Sequence, residues 1–122
     1  MKIPVIGNGD VFSGEDALAI LRETACDGIM VARGARGNPF IFEELRDVLH
    51  GSTPRVITAE ERIMTAIRHI ELNAEYGGAF VSMRKHIAWY TRGLPNSARI
   101  REEVNACPNA ERAREILTEC LQ

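Results

Sequence analysis

Two short apolar runs, Ile-Pro-Val-Ile at 3–6 and Gly-Ile-Met-Val-Ala at 28–32, each pass into a glycine-bearing loop and then into an amphipathic helix. Neither run alternates polar with apolar residues, which is the pattern of strands that a parallel sheet covers on both faces. Their last strongly apolar positions, Ile6 and Val31, stand 25 residues apart, so the first part of the chain reads β-α-β-α at the period of a parallel α/β sheet or barrel. Such strands need neighbours on both sides, and a chain of 122 residues has few to offer.

The local signals agree with this reading. Ser13 stands before a helix over 14–24 with Asp16 three residues on, close to a capping box, and Ala17, Leu18 and Leu21 form its apolar stripe. A second helix over 39–49 has Asn38 as its expected cap and Pro39 at its first position. Gly51-Ser52-Thr53-Pro54 then breaks the pattern. From Thr58 onward only helices are expected. Thr58 and Glu61 open one whose Ile63, Met64, Ile67 and Ile70 share a face, with Gly77-Gly78 as its end. Three more follow over 80–92, 97–106 and 109–121, with breaks at Gly93, Pro95 and Pro108. The expected fold class is α/β plus all-α, with two β-α units in 1–50, a linker over 51–57 and a helical domain over 58–122.

Composition narrows the function classes. A formal charge of -2 and 45% apolar residues give no global pull towards nucleic acid or membrane, so any such signal has to be local. Cys26, Cys107 and Cys120 make no metal-ligand pattern, and an odd count argues against a disulfide framework, which suits a reducing, cytoplasmic setting. No run approaches the length of a membrane span, and no secretory signal opens the sequence.

The two loops carry the sharpest chemistry. Parallel sheets receive ligands at the carboxyl ends of their strands, and glycines there let backbone N–H groups approach an anion closely. Gly7-Asn8-Gly9-Asp10 and Arg33-Gly34-Ala35-Arg36-Gly37 both fit, and Arg33 adds a guanidinium suited to phosphate. Turn geometry alone also favours Gly and Asn in such loops. A nucleoside-triphosphate loop is excluded, because no Gly-Lys-Ser/Thr follows the glycines.

A second local signal lies between Tyr76 and Arg101, a window without Asp or Glu that holds Arg84, Lys85, Arg92, Arg99 and Arg101. On a helical wheel Phe80, Met83, Ile87 and Tyr90 take one side, and Arg84, Lys85 and Arg92 another, with His86 and Trp89 between them. The apolar side is expected to pack and the basic side to meet phosphates, the alternative being a solvated face beside acidic helices.

The segments IPVIGNGDVFSGEDALAIL, CDGIMVARGARGNPFIF and MRKHIAWYTRGLP, in this order and spacing, resemble the C-terminal third of bacterial tRNA-dihydrouridine synthases. The resemblance covers essentially the whole chain. It implies the last two β-α units of an FMN-binding TIM (β/α)8 barrel followed by a small helical bundle that helps hold tRNA. It further implies an FMN phosphate against Asn8, Gly9, Asp10, Ala32 and Arg33, where the family often has glycine in place of Ala32. NADPH would serve as reductant and tRNA as substrate, with Arg84, Lys85 and Arg92 facing the nucleic acid. The family's proton-donating cysteine lies on an earlier barrel loop, and none of the three cysteines here corresponds to it. The expectation is therefore no catalytic residue and no metal in this chain, inactivity when it is alone, and a need for the missing N-terminal barrel segment or for self-association through strand edges. A fragment of another FMN barrel, such as a dihydroorotate dehydrogenase relative, and a stand-alone RNA-binding or assembly module without flavin remain alternatives.

Overall fold

The computed structural model describes residues 2–122. The chain divides into two compact units, the first ending at Val56 and the second running Ile57–Gln122.

In the first unit β1 (Ile6–Gly7) is followed by α1 (Gly14–Thr24), β2 (Gly28–Ile29), a 3-10 turn (Arg33–Ala35) and α2 (Ile41–Leu49). The strands pair in parallel, Ile6 opposite Gly28 and Gly7 opposite Ile29. Flanking bonds lengthen the contact: Asp27 N donates to the Val5 carbonyl at 2.8 Å, Met30 N to the Gly7 carbonyl at 2.8 Å, and Val5 N to Asp27 Oδ2 at 2.8 Å. Both strands are shorter than the apolar runs, because regular pairing requires a neighbour and each strand has one among the described residues. Burial differs from expectation for the same reason. Ile3 is 74% exposed and Ile6 56%, while the core forms on the helix side from Val11, Ala17, Ile41 and Leu45, with Ile20, Ile29 and Val31 against it.

Ser13 caps α1 as its position implies, its hydroxyl accepting from Asp16 N at 3.2 Å. The Asp16 carboxylate accepts from Phe12 N at 2.9 Å, a variant of the box that reaches one residue further back. Gly14 N donates to Glu44 Oε1 at 2.7 Å, so an acid of α2 satisfies an orphan donor of α1 and complements its dipole. Asn38 does not cap α2. Residues 38–40 instead close a turn in which Ile41 N donates to the Asn38 carbonyl at 3.2 Å, delaying the helix to Ile41. Beyond α2, the Arg55 guanidinium forks onto Glu43, Nε to Oε1 at 2.7 Å and an NH2 to Oε2 at 3.3 Å, tying the following segment back to the helix.

The second unit packs α3 (Ala59–Glu75), a 3-10 turn (Phe80–Ser82), α4 (Met83–Thr91), α5 (Ser97–Ala106) and α6 (Ala110–Glu119) around one core. Ile63, Ala66 and Ile70 of α3, Met83, Ile87 and Tyr90 of α4, Ile100 and Val104 of α5, and Ala113, Ile116 and Leu117 of α6 are buried in it. Met64 departs from expectation at 51% exposed, since it follows Ile63 by 100° and lies outside the stripe that Ile63, Ala66 and Ile70 define. The Thr58 and Glu61 box is complete: Glu61 N donates to the Thr58 hydroxyl at 3.1 Å and Thr58 N to Glu61 Oε2 at 2.9 Å. Asn109 likewise caps α6 through Arg112 N at 2.9 Å.

The stretch expected as one helix over 80–92 is instead a 3-10 turn and a nine-residue α-helix. Its end is tight, with Thr91 Oγ1 donating to the Ile87 carbonyl at 2.9 Å and Arg92 already extended before Gly93 at φ 79°. No helix of the described residues is long and apolar enough to cross a membrane.

Candidate functional site

The ends of β1 and β2 bring both glycine loops to one place. Asn8, Gly9, Asp10, Val11, Ala32 and Arg33 line a concavity of about 260 Å³ at the carboxyl ends of the strands. The glycines of these loops do different things. A Cβ on Gly7 would meet Cys26 Sγ at 2.8 Å and Ile20 Cγ2 at 2.9 Å, so Gly7 is small because β1 packs closely on α1 and the turn before β2. A Cβ on Gly9 would meet no protein atom within 4 Å, and its φ is not one that demands glycine. The space beside Gly9 is thus open on the face of the concavity, where a bound anion can approach the backbone.

Gly34 matters in a third way. A Cβ there would collide with the Val11 carbonyl oxygen, so the 3-10 turn lies directly on the first loop. One residue earlier in each loop, an Arg33 NH2 group pairs with Asp10 Oδ1, both side chains about three-fifths exposed. Asp10 adopts a left-handed backbone at φ 48°, a conformation that Asp tolerates better than most residues. The N–H groups that open the 3-10 turn have no partner within it. Asn8 Nδ2 makes a long contact of 3.7 Å to Met30 Sδ. The arrangement combines a cation, open backbone and a side-chain amide, a donor set that fits a phosphate monoester, with the Asp10 carboxylate as the one acidic group in its lining.

The basic residues of α4 separate in the structure. Arg84 sends an NH2 group to the Cys107 carbonyl at 3.1 Å, lies over the Phe80 ring at 5.5 Å from its centroid, and has a buried Nε without a hydrogen-bond partner. Lys85 and Arg92 are exposed. The Arg92 carbonyl accepts from an Arg62 NH2 group at 2.6 Å, which brings a further cation of α3 to the end of α4. Arg62 escaped sequence reasoning, because it lies 30 residues from Arg92 and outside the acid-free window. Arg99 pairs with Glu103 at 3.0 Å.

His86 and Trp89 belong to an aromatic cluster with their rings edge to face at 5.0 Å, and His69 lies 4.9 Å from His86. His69 Nδ1 is 3.1 Å from the Tyr90 hydroxyl, and burial pushes the Tyr90 phenol above its ordinary pKa. Cys26 Sγ donates to the Gly28 carbonyl at 3.4 Å, and Cys107 Sγ to the Val104 carbonyl at 3.1 Å inside the bundle. Burial raises the Cys120 thiol. Among the described residues no cluster of His, Cys, Asp or Glu is set to hold a metal ion.

Parallel β-α units with a hollow of about 260 Å³ at their strand ends define an α/β unit of the kind that receives ligands at strand termini. Residues 1–122 match the family described as dihydrouridine synthase (Dus). The "Probable tRNA-dihydrouridine synthase 1" of Synechocystis sp. is 35% identical over 124 residues, covering 99% of this chain and 35% of the relative. The "Probable tRNA-dihydrouridine synthase" of Mycobacterium tuberculosis strain H37Rv is 42% identical over 103 residues (81% of this chain, 26% of the relative), and that of Rickettsia conorii 39% over 109 residues (86% and 33%). The chain belongs to the dihydrouridine synthase family, and it spans about a quarter to a third of the length of these curated relatives.

Proposed function

We propose that this chain supplies the FMN-phosphate cup and a tRNA-facing helical domain of a tRNA-dihydrouridine synthase that reduces uridine to 5,6-dihydrouridine. Residues 1–50 are read as the last two β-α units of a TIM barrel, 51–57 as a linker and 58–122 as the helical domain. Parallel pairing and the exposed apolar side chains of Ile3, Val5, Ile6 and Met30 support the barrel reading, because such strands are covered on both faces in a closed sheet.

The observation that carries the proposal is the open approach to Gly9 beside Arg33. Asn8, Gly9, Asp10, Ala32 and Arg33 would form the cup, its backbone amides and the guanidinium meeting the charge of the phosphate and fixing one end of the cofactor. When bound, FMN supplies the two-electron reduction of the uracil ring, with NADPH as the source of electrons. The uridine leaves the base stack to be reached. On the helical domain the acid-free stretch offers Arg84, Lys85 and Arg92 for the nucleic acid. With the Arg84 guanidinium engaged by Cys107, phosphate contact falls to Lys85 and Arg92, and Arg84 braces the helix that carries them. None of the three cysteines is proposed as proton donor, so the isolated 122-residue polypeptide is expected to be inactive and prone to self-association at its strand edges.

The test uses a chimera of family length, in which these residues replace the matching segment of the Synechocystis relative. Incubated with FMN, NADPH and unmodified tRNA, the chimera should form dihydrouridine, read by mass spectrometry of nucleosides, and the chain alone should not. A folded, FMN-bound chimera without product would count against the assignment, as would turnover by the chain alone against the division of labour.

A further inference from the structure

Asp10 is an odd residue to find facing a phosphate. A carboxylate in the wall of an anion site repels the ligand unless its charge is already engaged. Here it is engaged: its Oδ1 meets an Arg33 NH2 group, and the next residue in each loop makes the second contact, Val11 carbonyl against Gly34. The two loops are clamped at adjacent positions, once by packing and once by charge. The packing contact fixes the separation of the loops, and at that separation the carboxylate spans to the guanidinium. Arginine is long and rich in rotamers, and both partners are about three-fifths exposed, so without the carboxylate little in its surroundings would hold the guanidinium in one place.

We infer that Asp10 is a positioning residue: its carboxylate holds the Arg33 guanidinium across the mouth of the cup, ready for a phosphate monoester, and does not itself contact the ligand. The inference rests on the cup reading above. It distinguishes Asp10 from a group that accepts a hydrogen bond from a ribityl hydroxyl, because a positioning group works only while Arg33 is present.

A double-mutant cycle on FMN affinity in the family-length chimera tests this, read by quenching of flavin fluorescence, with riboflavin as the phosphate-free control. Asp10→Ala should weaken FMN binding about two- to tenfold, the range for losing the immobilisation of one flexible side chain. Asp10→Asn, which keeps an acceptor and tolerates the left-handed backbone, should recover part of the loss. In the Arg33→Ala background the sign should reverse or vanish, since removing an unpaired carboxylate beside a phosphate relieves repulsion. Backbone strain from alanine at φ 48° is common to both backgrounds and cancels in the cycle. Riboflavin should bind all variants alike. An equal loss in both backgrounds, or tighter FMN binding by Asp10→Ala with Arg33 intact, would overturn the inference and leave the cup standing. An Arg33→Ala protein with undiminished FMN affinity would overturn the cup itself and this inference with it.

Discussion

Truncating Arg84 to alanine removes a hydrogen bond to the Cys107 carbonyl at the junction of α5 and α6, together with a cation lying 5.5 Å from the centre of the Phe80 ring. A hydrogen bond involving a charged group contributes about 1.5–3 kcal/mol, and an exposed cation–π contact about 0.5–1 kcal/mol. Against this, the buried Nε has no partner, and deleting it relieves a desolvation cost of about 1–3 kcal/mol. The net loss is then about 1 kcal/mol, which in a unit of this size lowers the melting temperature by about 4–8 °C. Trp89 is the single tryptophan and belongs to the helical unit, so its fluorescence during heating of the whole chain reports that unit alone. Lys85→Ala, at an exposed position, should change stability by less than about 0.5 kcal/mol. Nucleic-acid binding should sort the residues the other way. In the chimera, Lys85→Ala and Arg92→Ala should each flatten the salt dependence of tRNA binding by about 0.7–0.9 in log–log slope, and Arg84→Ala should leave the slope alone. An Arg84→Ala protein that melts with the parent and loses salt dependence would refute the reasoning, because its guanidinium would then be a phosphate contact in solution.

Two further perturbations follow from the glycine loops and from Tyr90. Gly34→Ala should destabilise the first unit by about 1–3 kcal/mol through collision with the Val11 carbonyl, whereas Gly9→Ala should leave its stability nearly unchanged and weaken FMN in the chimera; circular dichroism melts and flavin titration separate the two. Because burial raises the Tyr90 phenol above 10.0, the folded state holds that proton more tightly than the unfolded one. The stability linked to it is full below pH 10 and is lost as pH rises past the folded value, so in a Tyr76→Phe chain absorbance at 295 nm should titrate above 10 and unfolding should accompany ionisation.

Features set by residues three or four apart were legible before the fold was seen. Ser13 over Asp16 and Thr58 over Glu61 both cap their helices, because the donor and acceptor are brought together by the helix itself, whereas Asn109, read as the first residue of its helix, stands one position earlier as the cap. Features that depend on distant partners were not. Asn38 and Pro39 are the residues expected at the cap and first position of a helix, and residues 38–40 still form a turn first. Gly7 and Gly9 are alike in sequence, yet one is small to admit Cys26 and Ile20 and the other faces open space. Arg84 is instructive because half of its environment was readable. Phe80 is four residues before it, the spacing at which a guanidinium reaches back over a ring, while the Cys107 carbonyl that draws it inward lies 23 residues further along the chain.

The central claim is that the paired loops grip a flavin by its phosphate, and the comparison of FMN with riboflavin tests it most directly. Titrated into the chimera, FMN should bind at least about tenfold more tightly than riboflavin, the equivalent of one charge-assisted hydrogen bond. Arg33→Ala should erase most of that difference by weakening FMN and leaving riboflavin unchanged. Equal affinities for the two flavins in the parent chimera, or a preference for FMN that survives Arg33→Ala intact, would contradict the account.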